Sequence, residues 1–98
     1  MGSSIKSALF LAESRLADAA QGDGNALYDL GISYQTGTAG VAIDLIEAHK
    51  WFNLAAARGH EEAASARAEV AEDMTAREIA TAQRAARDVL ALGTRRAA

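Results

Sequence analysis

The sequence contains no cysteine and no proline among its 98 residues. Without cysteine the chain forms no disulfide, no thiolate metal site and no cysteine nucleophile, which fits a cytoplasmic protein. Valine, isoleucine and threonine are also few, whereas alanine accounts for 25 residues. Because alanine is the best helix former and proline the strongest helix breaker, the composition favours an all-helical chain.

Long apolar runs are missing as well. Near the N-terminus the apolar run covers only residues 8–12 before Glu13. A run this short is too brief for a secretory signal or a membrane span. We therefore expect a soluble, unprocessed protein with a single domain over residues 1–98 and no membrane partner.

Residue patterns that carry catalysis or metal binding are scarce. His49 and His60 are the only histidines and lack a paired metal spacing, so both are expected on solvated helix surfaces. Residues 22–25 lack the later acidic ligands of a calcium loop, and residues 37–40 are not followed by the Lys-Ser/Thr pair of a phosphate-binding loop. The sequence predicts no catalytic residue, no metal and no cofactor, and thus a protein that is not an enzyme.

Helical spacing of apolar residues predicts five helices separated by glycines with polar neighbours. The first covers residues 4–20, and the second and third lie within residues 23–58. The fourth falls within residues 60–73 and the fifth covers residues 75–92, followed by a disordered tail at residues 93–98.

Capping residues mark three of the helix starts. Asp23 is a good N-cap for the second helix. Asp44 with Glu47, and Thr75 with Glu78, have the spacing of a capping box, in which the later carboxylate reaches back to the capping residue. Glycines follow most of the helices and predict their ends.

A weak internal repeat runs through the first two thirds of the chain. Gly22 followed by Ala26 recurs as Gly59 followed by Ala63, a shift of 37 residues. A period of one helix pair is typical of α-solenoids, in which each pair buries its apolar face against the next.

A longer motif, which runs from the second predicted helix to the start of the fourth, strengthens this interpretation. Its members are Ala26, Leu30, Gly31, Tyr34, Gly37, Gly40, Asp44, Ala48, Trp51, Phe52, Ala55, Ala56, Gly59 and Ala63. The pattern resembles one full Sel-1-like repeat, a relative of the tetratricopeptide repeat. It departs from that repeat in a loop, residues 37–41, that is one residue longer, and in Arg67-Ala68 where Leu-Gly is expected.

The resemblance implies a short right-handed α-solenoid of antiparallel helix pairs with a C-terminal capping helix. Residues 23–58 would form the full repeat, residues 4–20 the end of a preceding unit, and residues 60–73 the first helix of a following one. The motif residues are expected to be structural: small residues let helices approach, Gly59 supplies a positive φ, and the large side chains fill the core.

The resemblance also implies a non-catalytic module that binds a protein or peptide partner. In such folds the first helix of each pair lines an inner groove. The groove residues implied here are Asn25, Tyr28, Ile32 and Gln35 and, after the 37-residue shift, Glu62, Ser65, Glu69 and Glu72. Because the second set is acidic, we expect a basic or amphipathic peptide or helix as the ligand.

Two alternatives remain open at this stage. An apolar strip of Phe10, Leu11 and Ala17 on the first helix would allow the chain to form a homo-oligomer through its exposed solenoid ends. The second alternative is nucleic-acid binding by the C-terminal arginines, but the absence of interleaved aromatics and the net charge of −3 do not favour it. Those arginines are Arg77, Arg84, Arg87, Arg95 and Arg96.

Overall fold

The computed structural model describes the backbone of residues 23–97 and the side chains of residues 23–91. The predicted first helix at residues 4–20, with the apolar strip of Phe10, Leu11 and Ala17, lies outside this range. The described part contains four α-helices and no strand: α1 (Gly24–Thr36), α2 (Leu45–Ala57), α3 (Glu61–Ala71) and α4 (Ala76–Ala97). The prediction of an all-helical fold is confirmed for these residues.

Helix α1 begins and ends where the sequence predicts. The Asp23 side chain accepts a hydrogen bond of 3.0 Å from the Ala26 N–H, which satisfies one of the free donors of the first turn. At the other end Gly37 adopts the left-handed conformation with φ +71°, and its N–H donates to the Ser33 carbonyl. These two contacts fix the length of α1.

The loop after α1 uses three residues with positive φ, namely Gly37, Ala39 and Gly40. A side chain at Gly37 would be strained by its φ and would also lie 2.8 Å from the Ile43 side chain. Ala39, at φ +56°, takes the same conformation despite its Cβ. This loop, which is one residue longer than in the repeat pattern, therefore contains an alanine with an unfavourable positive φ as well as the two motif glycines.

Helix α2 begins at Asp44, but only half of the expected capping box forms. The Asp44 side chain accepts from the Glu47 N–H, whereas Glu47 does not reach back. The Asp44 N–H already donates to the Tyr34 carbonyl at 2.9 Å, so it leaves no donor for Glu47. Glu47 instead accepts from Trp51 Nε1 at 2.9 Å and pairs with Lys50 at 2.8 Å. The prediction for the Glu47 side chain was wrong.

The turn between α2 and α3 depends on Gly59 and His60. Gly59 has φ +89°, as the sequence predicts for a helix stop. The next residue, His60, is the N-cap of α3, where its Nδ1 accepts a hydrogen bond from the Ala63 N–H at 3.2 Å. The proton of the neutral His60 ring therefore lies on Nε2.

The turn before α4 contains the predicted capping box in full. The Thr75 N–H donates to Glu78 Oε1 at 2.8 Å, and the Glu78 N–H donates to Thr75 Oγ1 at 3.1 Å. The far end of α4 differs from the prediction, because the helix continues through Gly93 to Ala97. Glycine costs a helix only about 1 kcal/mol relative to alanine, and no proline follows to stop the helix. The disordered tail at residues 93–98 was thus a wrong prediction for residues 93–97.

Helix α2 lies at the centre of the described part, and each of the other three helices packs against it. On one side Trp51 and Leu54 contact a cluster that includes Leu27 of α1 and Ala86 of α4. On another side Phe52 belongs to a second cluster that also includes Ala48, Ala66 and Val70. A helix that is apolar on most of its circumference is one that other helices surround.

Several of the motif residues lie in contacts between the helices. Ala48, Ala55 and Ala63 have no exposed surface, and Leu30, Tyr34 and Ala56 pack against the first cluster. Gly31 lies against the Phe52 ring so closely that a Cβ there would be 2.4 Å from two of its carbons. The α1–α2 pair therefore depends on the absence of a side chain at this position.

Candidate protein-interaction surface

The acidic set of residues predicted for a groove lies along the outer face of α3 and its C-cap. Glu62, Ser65, Glu69 and Glu72 are all exposed, and their spacing of three, four and three residues is that of one helix face. The first three lie on α3, and Glu72 is its C-cap, whose backbone keeps helical φ and ψ and so continues the same line. We call these four residues the acidic stripe. It is about 15 Å long at the α-helical rise per residue.

The carboxylates of the acidic stripe have no cationic partner among the described side chains. The salt bridge found in residues 23–91 joins Lys50 to Glu47, both on α2. The opposite face of α3 carries Ala63, Ala66 and Val70, all buried against the rest of the helices. Core packing thus orients α3 so that its negative charges face solvent.

The second predicted set, on α1, is only partly open to solvent. Asn25 is exposed, whereas Tyr28, Ile32 and Gln35 are half-buried. The Tyr28 ring stacks on His60 at a centroid distance of 4.3 Å and lies 5.5 Å from Phe52. Tyr28 and Ile32 therefore contribute to internal packing as well as to the surface.

The N-terminal ends of the two sets border one shallow, open cleft. The cleft is lined by residues 23–25 at the start of α1 and residues 58–62 at the α2–α3 turn. Asn25 and Glu62, the first member of each set, are both among its lining residues. The structure therefore brings these ends of the two sets together.

The two histidines are not on solvated surfaces, contrary to expectation. His49 is only 3 % exposed and its Nδ1 is buried without a hydrogen-bond partner. Burial, and secondarily the positive charge of Arg67, lower the pKa of His49 below its ordinary value of 6.5. His60 is half-buried between its capping role and its stack on Tyr28.

Sequence reasoning missed both histidines for separate reasons. His49 lies on α2 beside Ala48, and α2 also buries Trp51 and Phe52. Apolar residues on most sides of α2 were therefore the sequence signal that His49 is buried. His60 directly precedes the first residue of α3, but histidine is not among the common N-cap residues.

Arg67 occupies the position where the repeat pattern would have leucine. Its Nη1 donates a hydrogen bond to Asn53 Oδ1 across the α2–α3 contact. The half-buried guanidinium therefore replaces apolar packing with a polar link between these two helices.

The described residues carry few features of other functional classes. No group of three or more His, Asp or Glu side chains in residues 23–91 is arranged to hold a metal ion. Of the helices described, none combines the length and apolar character that crossing a membrane requires. Arg77, Arg84 and Arg87 are exposed on α4, while the side chains of Arg95 and Arg96 lie outside the described range.

Comparison of the chain with protein-family models, curated proteins and solved structures finds no match.

Proposed function

We propose that this chain is a non-catalytic protein-interaction module, and that its acidic stripe binds a basic helical segment of a protein partner. In this proposal residues 23–58 form a Sel-1-like repeat of a short right-handed solenoid. Residues 60–73 continue the solenoid and α4 caps it.

The packing of the motif residues supports the repeat interpretation. The close contact of Gly31 with Phe52, the buried Ala48 and Ala55, and the positive φ of Gly59 each match the role that the motif implies. A scaffold whose distinctive residues serve packing leaves function to its exposed faces.

The observation that carries the functional proposal is the acidic stripe, which is exposed and forms no salt bridge with any described side chain. Three carboxylates on one face of a helix attract a segment with cations at the same spacing. Exposed ion pairs contribute about 0.2–1 kcal/mol each, so the complex is expected to be weak and brief. Charge would chiefly speed encounter and set the orientation of the ligand.

A defined peptide tests this proposal. The probe is a fluorescent alanine-based helix with arginines at the first, eighth and eleventh positions, and the control peptide carries glutamate there. We expect the chain to bind the arginine peptide about tenfold or more tightly than the glutamate peptide at low salt, as measured by fluorescence anisotropy. Added salt should weaken the binding because the charges are exposed.

Matched variants locate the binding surface. Glu62→Lys, Glu69→Lys and Glu72→Lys together should abolish the preference for the arginine peptide. Asp29→Lys, Glu61→Lys and Asp73→Lys together change the net charge equally but spare the acidic stripe, and they should largely keep the preference. Equal affinities of the two triple variants for the arginine peptide would refute the proposal.

A further inference from the structure

Helix α4 carries a basic counterpart of the acidic stripe. Arg77, Ala80, Arg84 and Arg87 are all exposed and follow the same spacing of three, four and three residues. We call these four residues the basic stripe. Charged residues occupy its first, third and fourth positions and a small residue its second, as in the acidic stripe with Ser65.

Within one chain the two stripes do not meet. No salt bridge joins α3 to α4 among the described side chains, and the main contacts of both helices are with α2. Side-by-side pairing in register would require α3 and α4 to run parallel. Residues 72–74 instead form tight turns, with their N–H groups donating to carbonyls of residues 69–71, so the link is too compact to run back along α3.

We propose that the acidic stripe binds the basic stripe of a second copy of this chain. This inference rests on the proposed function, and names the basic helix that the acidic stripe would bind. In a parallel arrangement Glu62, Glu69 and Glu72 of one copy lie opposite Arg77, Arg84 and Arg87 of the other. Ser65 faces Ala80, and two small residues at that position allow the helices to approach closely.

Helix α4 is already ordered as a ligand for this surface. Its opposite face holds Ala82 and Ala86, both buried in the core of its own copy, so binding requires no folding of the helix. Each copy offers one acidic and one basic stripe. Two copies can therefore pair reciprocally, or several can associate head to tail.

Sedimentation velocity on the full chain tests the proposal without any substitution. The chain should associate at low salt and high protein concentration and dissociate as salt is raised, because the paired charges are exposed. A single monomeric species at every salt and protein concentration would overturn the proposal. Association that is insensitive to salt would also overturn it.

Charge exchange gives a sharper test. The acid-reversed variant carries Glu62→Arg, Glu69→Arg and Glu72→Arg, and the base-reversed variant carries Arg77→Glu, Arg84→Glu and Arg87→Glu. Each variant alone should associate at least tenfold more weakly than the original chain, because its two stripes now have the same sign. An equimolar mixture should restore association, since each stripe of one variant again faces its opposite on the other.

A control variant separates the stripes from net charge. Asp29→Arg, Glu61→Arg and Asp73→Arg together match the charge change of the acid-reversed variant and should associate like the original chain. Circular dichroism checks that all variants are folded. Failure of the mixture to associate, with both variants folded, contradicts the pairing of the two stripes.

Two further results distinguish this proposal from the one on which it rests. If the arginine peptide binds the acidic stripe but the chain stays monomeric, the self-association fails and the proposed function stands. If neither the peptide nor a second copy binds, both fail. Binding of a single-stranded oligonucleotide to the basic stripe at moderate salt, without self-association, would assign that stripe to nucleic acid instead.

Discussion

At the scale of single residues, the contact between Gly31 and Phe52 is the tightest constraint on the α1–α2 pair. The hydrogen of Gly31 faces the Phe52 ring, which has no exposed surface. Densely packed interiors respond to an added methyl group by strain, because few voids are available to take it. Gly31 therefore determines how closely α1 approaches α2.

Gly31→Ala should destabilise the protein even though alanine is the better helix former. The gain in helix propensity is about 1 kcal/mol, whereas overpacking against a buried ring costs about 1–3 kcal/mol or more. We expect a net loss of unfolding free energy, measured by urea denaturation.

A smaller side chain at position 52 provides the control for this substitution. In a Phe52→Leu background the added methyl group has more room, so Gly31→Ala should cost less than in the original chain. An equal cost in both backgrounds would show that the Phe52 ring is not the source of the strain.

At the scale of elements, the helices are delimited by short-range hydrogen bonds. Asp23 caps α1, Asp44 caps α2, and the reciprocal pair of Thr75 and Glu78 begins α4. Each bond satisfies a donor that the first turn leaves without a helical partner. The starts of these helices are thus encoded within a few residues of sequence.

Thr75→Ala should lower the unfolding free energy by about 1 kcal/mol, because it removes the acceptor for the Glu78 N–H. Thermal unfolding followed by circular dichroism measures the loss. Thr81→Ala is the matched control, since Thr81 is also exposed and its hydroxyl donates only to the Arg77 carbonyl within α4. If both substitutions cost the same, the capping bond is not what stabilises the start of α4.

Local signals of this kind explain which parts of the fold the sequence predicts well. The caps at Asp23 and Thr75 and the turn at Gly59 depend on backbone geometry over three or four residues, so sequence spacing is enough to identify them. The side chain of Glu47 is different. Its hydrogen-bond partners depend on another helix, because the Tyr34 carbonyl of α1 already accepts the hydrogen bond of the Asp44 N–H.

The candidate site likewise has features that the sequence predicts and features that it does not. The spacing of Glu62, Glu69 and Glu72 already predicts that they share one line along α3 and its C-cap, and all three are exposed. The partial burial of Tyr28 could not be predicted from α1 alone, because it depends on where His60 lies after the α2–α3 turn. Contacts between helices, rather than patterns within one, set the limit of the sequence-based prediction.

At the scale of the whole molecule, the burial of His49 links stability to pH. Its folded-state pKa lies below the ordinary value of 6.5, so near and below that pH the unfolded chain binds more protons than the folded one. The contribution of neutral His49 to the unfolding free energy is complete above about pH 6.5. It declines as the pH falls toward the lower pKa of His49 in the folded state. Mild acid should therefore destabilise the protein.

His49→Leu should remove this pH dependence and leave stability at neutral pH equal or higher, because it also eliminates the buried Nδ1 that has no partner. Urea denaturation at a series of pH values from about 7.5 down to about 5.5 measures the effect. The comparison should be repeated with His60→Asn in both chains, since asparagine keeps a capping acceptor but does not titrate. A pH dependence that persists in His49→Leu with His60→Asn would place its origin elsewhere.

The central position of α2 also bears on how the chain folds as it is synthesised. Contacts between α2 and its sequence neighbours α1 and α3 close only short loops, which favours rapid folding. Among the described residues, the cluster around Trp51 of α2 also includes Ala86 and Val89 of α4, which are synthesised after α3. A nascent chain that has emerged only through α3 therefore exposes part of an apolar helix, and synthesis of α4 is the step that shields it from other unfolded chains.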